Sequence, residues 1–343
     1  MKLSRSLLLT VFLLCFLTNL SFAQSFDDIK KYKVNYALAR ISSKTPVKNI
    51  SLDPNNIEGI DAFLAIRSFT SNDQKYILLV NPNSLDTKID FANKYALSSL
   101  QYSNVLAIFK NTAYIKSIEA AAAKDLQLQN AGIDHAIPNE KGITLTIDLC
   151  PSHKALDRII FESVFDEFKK IEQPAPLAVS VSGKWILKHQ DDLNWLKSLV
   201  EKKELNITWV NHTYNHEVNK LPLAENFLLA PGTNLDVEVL ENEKLMLKNG
   251  LTPSVFFRFP GLVSDKTIVE KIEAYGLIPV GSDAWLAKGQ QPNAGSIVLI
   301  HGNGNEEIGV KDFIQLLRTK QADVKNKQWL LFDLRQGLEK EFE

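Results

Sequence analysis

From Gly142 onward the sequence alternates short apolar runs with longer amphipathic ones, and no other feature constrains the fold as tightly. Seven runs have the length and the Val/Ile/Leu/Phe content of strands: residues 143–148, 177–181, 207–210, 255–259, 277–281, 297–300 and 329–332. Most are apolar on both faces, as strands covered by helices are. Helical spacing fills the intervals. Leu156, Ile159, Ile160, Val164, Phe165 and Phe168 form one stripe, and Leu193, Leu196, Leu199 and Val200 a second. Residues 234–248 read as a helix ended by Gly250, and Phe313, Leu316 and Leu317 mark a last crossover. Ser264 is placed to cap a helix bearing Ile268, Val269 and Ile272, stopped by Gly276. Strand–helix alternation over about 200 residues predicts a parallel α/β architecture, an open doubly wound sheet or an incomplete barrel. In either, ligands sit at the C-terminal ends of the strands.

Residues 24–141 have a different texture. Residues 76–80 and 105–109 read as strands, 113–128 as a helix, Asn81-Pro82-Asn83-Ser84 as a loop, and 130–141 as a linker. This predicts a small α+β domain of unassigned role ahead of a second domain over 142–343. Met1-Lys2-Leu3-Ser4-Arg5 is cationic, an apolar run extends from Leu7 to Leu17, and Ser21-Phe22-Ala23 offers small residues to a signal peptidase. Residues 1–23 are therefore expected to be a signal peptide, too short in its apolar run to serve as a permanent anchor. The expected location is the periplasm or the extracellular space, with no transmembrane segment once the signal is removed. Losing Lys2 and Arg5 leaves 37 of the 39 basic residues against 40 acidic ones, which gives no footprint for nucleic acid. Cys15 would leave with the signal, so Cys150 would be the only cysteine and no internal disulfide is expected.

The polar residues at the predicted strand ends form a short set: Asp148, His212 and His216, Arg258, Asp283 with Trp285, and His301. His212 and His216 are four residues apart, so in one turn of a helix or a tight loop both imidazoles can face one ion. Asp148 suits a base or a ligand, with Arg258 available to keep it ionised. Asp283, if it meets His301, would fix that imidazole's tautomer and suit it to general acid work. His135, His153 and His189 fall outside the pattern and read as structural or surface residues.

In order and spacing these residues resemble the polysaccharide deacetylase family, also called NodB-homology or family 4 carbohydrate esterases. Thr146-Ile147-Asp148-Leu149-Cys150 resembles its Thr-Phe-Asp-Asp-Gly motif, His212-Thr213-Tyr214-Asn215-His216 its paired-histidine motif, and Arg258-Phe259-Pro260 its Arg-x-Pro motif. Asp283-Ala284-Trp285 and Leu299-Ile300-His301 resemble the fourth and fifth. The resemblance covers about residues 142–332. It implies a distorted parallel (β/α) barrel of about seven strands that removes N- or O-acetyl groups from a glycan with a divalent metal ion, zinc. Asp148 would be the general base, Arg258 its orienting partner, His301 the general acid tuned by Asp283, and Trp285 and Leu299 the lining of the acetyl pocket. His212 and His216 would hold the metal.

One departure bears on the metal. The family's second Asp, a metal ligand, is Leu149 here. Two imidazoles alone are thin for a catalytic zinc, which keeps three protein ligands and an open position. Asp148 is the first replacement, and Cys150 the second, because residues two apart on a strand face one side. Asn211 and Asn215 are further donors within the motif. The alternatives are a metal-independent carbon–nitrogen hydrolase on the same fold and a catalytically silent glycan-binding protein. Loops 221–234 and 288–294 flank the expected cleft.

Overall fold

The computed structural model describes residues 25–42, 62–123, 128–136 and 141–339. The expected signal peptide lies outside them, as does part of the helix expected over 113–128. Five antiparallel strands come first: β1 (Lys30–Ile41), β2 (Ala62–Ser71), β3 (Gln74–Val80), β4 (Thr87–Phe91) and β5 (Tyr95–Ser99), in the order β4-β3-β2-β1-β5. Helices α1 (Tyr102–Ile108) and α2 (Ala113–Ala122) follow. The strand expected at 105–109 is thus a helix. Val105, Ile108 and Phe109 are buried at helical spacing, and the Gln101 amide donates to Asn104 Oδ1 at 3.4 Å in the first turn. Packing of that face overrides the strand preference of Val and Phe.

The second sheet is parallel. Its strands are β6 (Gly142–Leu149), β7 (Ala175–Val181), β8 (Leu205–Asn211), β9 (Phe256–Phe257), β10 (Ile278–Pro279), β11 (Ala284–Trp285), β12 (Ile297–His301) and β13 (Leu330–Leu331). Seven run in the order β10-β9-β8-β7-β6-β12-β11, and β13 pairs with β6. The sheet curls into a distorted α/β half-barrel, and each run expected as a strand contains one. The helices are α3 (Arg158–Phe168), α4 (Gly183–Lys188), α5 (Gln190–Glu201), α6 (Asn242–Lys248), α7 (Lys266–Ala274), α8 (Glu307–Lys325) and α9 (Leu334–Glu339). Asp265 rather than Ser264 caps α7, its carboxylate accepting from the Ile268 amide at 2.8 Å. The six residues before α6, Asp236–Glu241, are wound as a π-helix.

Strand β6 shows how the sequence sets two faces. Ile143, Leu145, Ile147 and Leu149 point outward into a core shared with Ile160, Phe161, Val164, Phe168 and Phe313. Thr144, Thr146 and Asp148 take the opposite face, the strand's two-residue period separating them from the apolar set. On the inner side, Ala178, Val210, Phe256, Ile278, Val280 and Ile297 join one core with Leu38, Leu64, Leu78, Tyr114, Ile115 and Ile118. The first sheet and its helices therefore pack into the half-barrel rather than hanging from a tether. Residues 130–136 of the stretch expected as a linker, with Gln129 just before it, bridge along the barrel's edge: Ile133 pairs with Val280, His135 with Ser296 and Gln129 with Val263. Among the described residues no helix is long and apolar enough to cross a membrane.

Candidate functional site

The strand register assembles the site. His301 lies opposite Asp148 in the β12–β6 pair, Asp148 opposite Ser180 in β6–β7, Val181 opposite Asn211 in β7–β8, and Asn211 opposite Phe257 in β8–β9. The residues that follow these positions, His212 after β8 and Arg258 after β9, come to the same C-terminal rim. Parallel strands place such residues together.

The paired histidines lie on a loop, not a helix. Thr213 and His216 both have positive φ, 66° and 47°, in the left-handed region that non-glycine residues occupy at a cost of about 1–3 kcal/mol each. Hydrogen bonds hold this shape. The Thr213 amide donates to Asn211 Oδ1 at 3.0 Å, and the His216 amide to Thr213 Oγ1 at 3.1 Å. The result brings the two imidazole centroids to 4.7 Å.

His212 Nδ1 lies 2.9 Å from the carbonyl oxygen of Arg258. A carbonyl only accepts, so the proton sits on Nδ1 and Nε2 presents a lone pair. That lone pair faces Cys150 Sγ at 3.4 Å and Asp148 Oδ2 at 3.7 Å. His216 Nε2 is buried without a hydrogen-bond partner. Among the described residues, Cys150, His212 and His216 are the group whose ligand atoms all lie within 4.8 Å of one another. Of the two candidates for the vacant ligand place, Asp148 first and Cys150 second, it is Cys150 that belongs to this group. Leu149 turns into the outer core, and Cys150, one residue on, returns to the side of Asp148, buried at 6% exposure.

Burial alone would raise the Cys150 thiol, but His216, His301 and His212 together hold it well below its usual value. Burial would lower His216, and Cys150 raises it on balance. Arg258, at 1% exposure, donates from a terminal nitrogen to Thr146 Oγ1 at 2.8 Å and sets Nε 3.9 Å from Asp148 Oδ1. Burial lowers its guanidinium below the usual value against the pull of Asp148 and Cys150.

His301 departs from expectation in its partner. Its Nδ1 meets Glu306 Oε2 at 2.8 Å, and the Trp285 indole donates to the same oxygen at 2.8 Å. Burial would lower His301, yet Cys150 and Glu306 hold it well above the usual histidine value. Asp283 is elsewhere. It accepts from the Ile297 amide at 3.1 Å, lies 2.7 Å from His135 Nδ1, and takes the Ser296 hydroxyl at 3.1 Å. The register explains this. Ala284 pairs with Val298, so Asp283 sits beside the start of β12, four residues and roughly 13 Å from His301 at its end. Trp285 stays at the rim, its ring centroid 5.7 Å from that of His301. Leu299 is buried with Leu262 and Trp285 beneath the rim.

The cleft above these groups has a volume of about 560 Å³ and is lined by Cys150, His216, Trp285, His301 and Glu306, with Phe227 at one side. A neighbouring hollow of about 510 Å³ shares Asn215, Glu217 and Phe227 with it and is walled by residues of the expected cleft loop at 221–234.

One family model, described as the RP012 protein N-terminal domain, matches residues 58–115, within the first sheet and its helices. Among solved structures the chain is similar to a CE4 family pseudoenzyme from Bacillus anthracis, with 18% identity, a TM-score of 0.41, and coverage of 62% of this chain and 70% of that one. It is similar to a family 4 carbohydrate esterase from Bacillus anthracis, with 18% identity, a TM-score of 0.42, and coverage of 66% and 91%. It is also similar to a family 4 carbohydrate esterase from Bacillus subtilis, with 16% identity, a TM-score of 0.43, and coverage of 64% and 95%. In motif order and half-barrel architecture the chain resembles the polysaccharide deacetylases. Its Cys/His/His group has the composition to bind a metal ion.

Proposed function

We propose that the chain is an exported hydrolase that removes N- or O-linked acetyl groups from a glycan at a zinc centre held by Cys150, His212 and His216. The observation that carries this reading is the convergence of one thiol and two imidazoles within 4.8 Å, beside Asp148 and His301 on one rim. The donor set fits zinc. One sulfur and two nitrogens would hold it, the His212 tautomer presents Nε2, and His216 Nε2 has no hydrogen-bond partner. Bound there, zinc supplies Lewis acidity toward the acetyl carbonyl and the attacking water.

The remaining steps belong to the side chains. Asp148 takes a proton from the water as its oxygen attacks the acetyl carbon, with Arg258 Nε 3.9 Å from one carboxylate oxygen and His212 Nε2 3.7 Å from the other. His301, with Nδ1 engaged by Glu306, is left with Nε2 to protonate the departing amine or alkoxide as the C–N or C–O bond breaks. Acetate and the free glycan group are the products. Trp285 and Phe227 offer apolar surface to the acetyl group and the sugar ring. Glu306 thus takes the role that the family resemblance gave to Asp283. Residues 142–343 form the catalytic domain in this reading, 24–141 the preceding domain, and 1–23 a signal peptide.

Leu149 in place of the family's second Asp favours a second reading, glycan binding without turnover, or metal-independent hydrolysis of another carbon–nitrogen bond. Acetate release from acetylated chito-oligosaccharide and xylan, before and after chelation, separates the three. Release abolished by the chelator and restored by zinc is expected. Binding without acetate, or release indifferent to the chelator, would overturn the zinc mechanism.

A further inference from the structure

The first sheet lies away from the chemistry, yet a buried chain of contacts runs from it to the histidine loop. Arg67 on β2 has a fully buried side chain. It grips Glu243 with both arms of its fork, Nε to Oε2 at 2.7 Å and a terminal nitrogen to Oε1 at 2.9 Å. Tyr32 on β1 donates to the same carboxylate at 2.8 Å. Arg67 also donates to the carbonyls of Ile66 and Tyr275.

Glu243 belongs to the helix that begins as the π-helix Asp236–Glu241 and continues as α6. Other residues of that helix reach the loop directly. Asn242 donates to Asn211 Oδ1 at 2.7 Å and to the Val181 carbonyl at 3.0 Å. The Val239 carbonyl accepts from Asn211 Nδ2 at 3.0 Å. Glu238, also buried, takes the Asn215 amide at 2.9 Å and its side-chain nitrogen at 2.7 Å. Asn211 precedes His212, and Asn215 precedes His216. Each histidine therefore follows a residue pinned by the same helix. The π-winding is what such helices show where a segment is shaped for function. The left-handed conformations of Thr213 and His216 need an external hold of this kind.

We infer that Glu238 and Arg67 are positioning residues: Glu238 fixes His216 through Asn215, and Arg67 fixes the helix through Glu243. The first domain would then serve the reaction by holding the histidine loop in shape. This rests on the proposed zinc centre for its functional meaning but not for its test.

Two readouts on the full mature chain decide it. Arg67→Lys keeps the charge and loses the bidentate grip. Glu238→Gln keeps the shape and turns an acceptor toward Asn215 into a donor. Both are expected to weaken zinc binding about 10- to 100-fold in competition with a chelator. In the metal-free protein both are expected to speed alkylation of Cys150, followed by peptide mass spectrometry, by about tenfold, because His212, in contact with the buried thiol, moves away from it more often once its loop is loosened. The control is Arg335→Met, which removes a different tie between the two parts of the chain, that of Arg335 on α9 to Asp86 before β4, and should leave both readouts at the wild-type level. Unchanged alkylation in Glu238→Gln, which leaves the Arg67–Glu243 pair intact, would overturn the inference. So would equal acceleration in Arg335→Met. If the wild type binds no zinc but alkylation follows the stated order, the positioning role stands and the zinc reading falls.

Discussion

At the level of single residues, most of the candidate site is legible in the sequence because its polar residues cluster at strand ends. Asp148, His212, His216, Arg258 and His301 were all read from such ends, and the register brings them to one rim. Two assignments were not legible. Asp283 stands two residues before Trp285 in sequence, which points to the rim, but strand pairing puts it at the other end of β12 with His135 and Ser296. Glu306 lies five residues beyond His301 in a glycine- and asparagine-rich loop, and no periodicity marks which loop carboxylate turns inward. The two make opposite predictions. Glu306→Gln should reduce turnover by at least about tenfold by loosening the His301 orientation. Asp283→Asn should leave turnover near wild type and lower the thermal midpoint. Steady-state kinetics and a melt of each variant check the pair. Asp148→Asn should reduce turnover by about 10²–10⁴-fold with zinc content unchanged, since it loses the base and not a ligand.

At the level of elements, the strands of the half-barrel were the plainest signal, and their ends the least certain. The runs at 255–259 and 277–281 contain only the two-residue strands β9 and β10, and Val280, the residue after β10, pairs with Ile133 outside the main sheet. The histidine loop was legible in its spacing but not in its conformation, which depends on distant partners. One of these is the turn opening α4, where the Gly183 and Lys184 amides donate to the Thr213 and Tyr214 carbonyls at 3.0 and 2.9 Å. A Cβ on Gly183 would stand 2.6 Å from the Tyr214 ring and 2.9 Å from its carbonyl oxygen. Gly183→Ala should therefore push the loop outward, costing about 1–3 kcal/mol and weakening zinc binding. Chemical denaturation and chelator competition measure the two effects.

At the level of the whole molecule, the sequence suggested two domains joined by a linker, and the contacts show a shared core. Tyr114, Ile115 and Ile118 pack with Phe256, Ile278 and Val280, and the Tyr36 and Tyr114 hydroxyls donate to the Ala274 and Gly276 carbonyls at 2.8 Å. Such packing was illegible because hydrophobic pattern says which face is buried, not against what. Thermal unfolding should then show one cooperative transition for both parts, and two separated transitions would contradict a common core. Arg67→Ala, which strands the Glu243 carboxylate in that interface, should cost about 3–5 kcal/mol. The proposed zinc centre stands or falls on Cys150 as the third ligand beside His212 and His216. Zinc content of the purified chain and of its Cys150→Ala variant tests it most directly. About one zinc per chain is expected in the wild type and little in the variant. A variant that keeps its zinc, or a wild type that takes none, would contradict it.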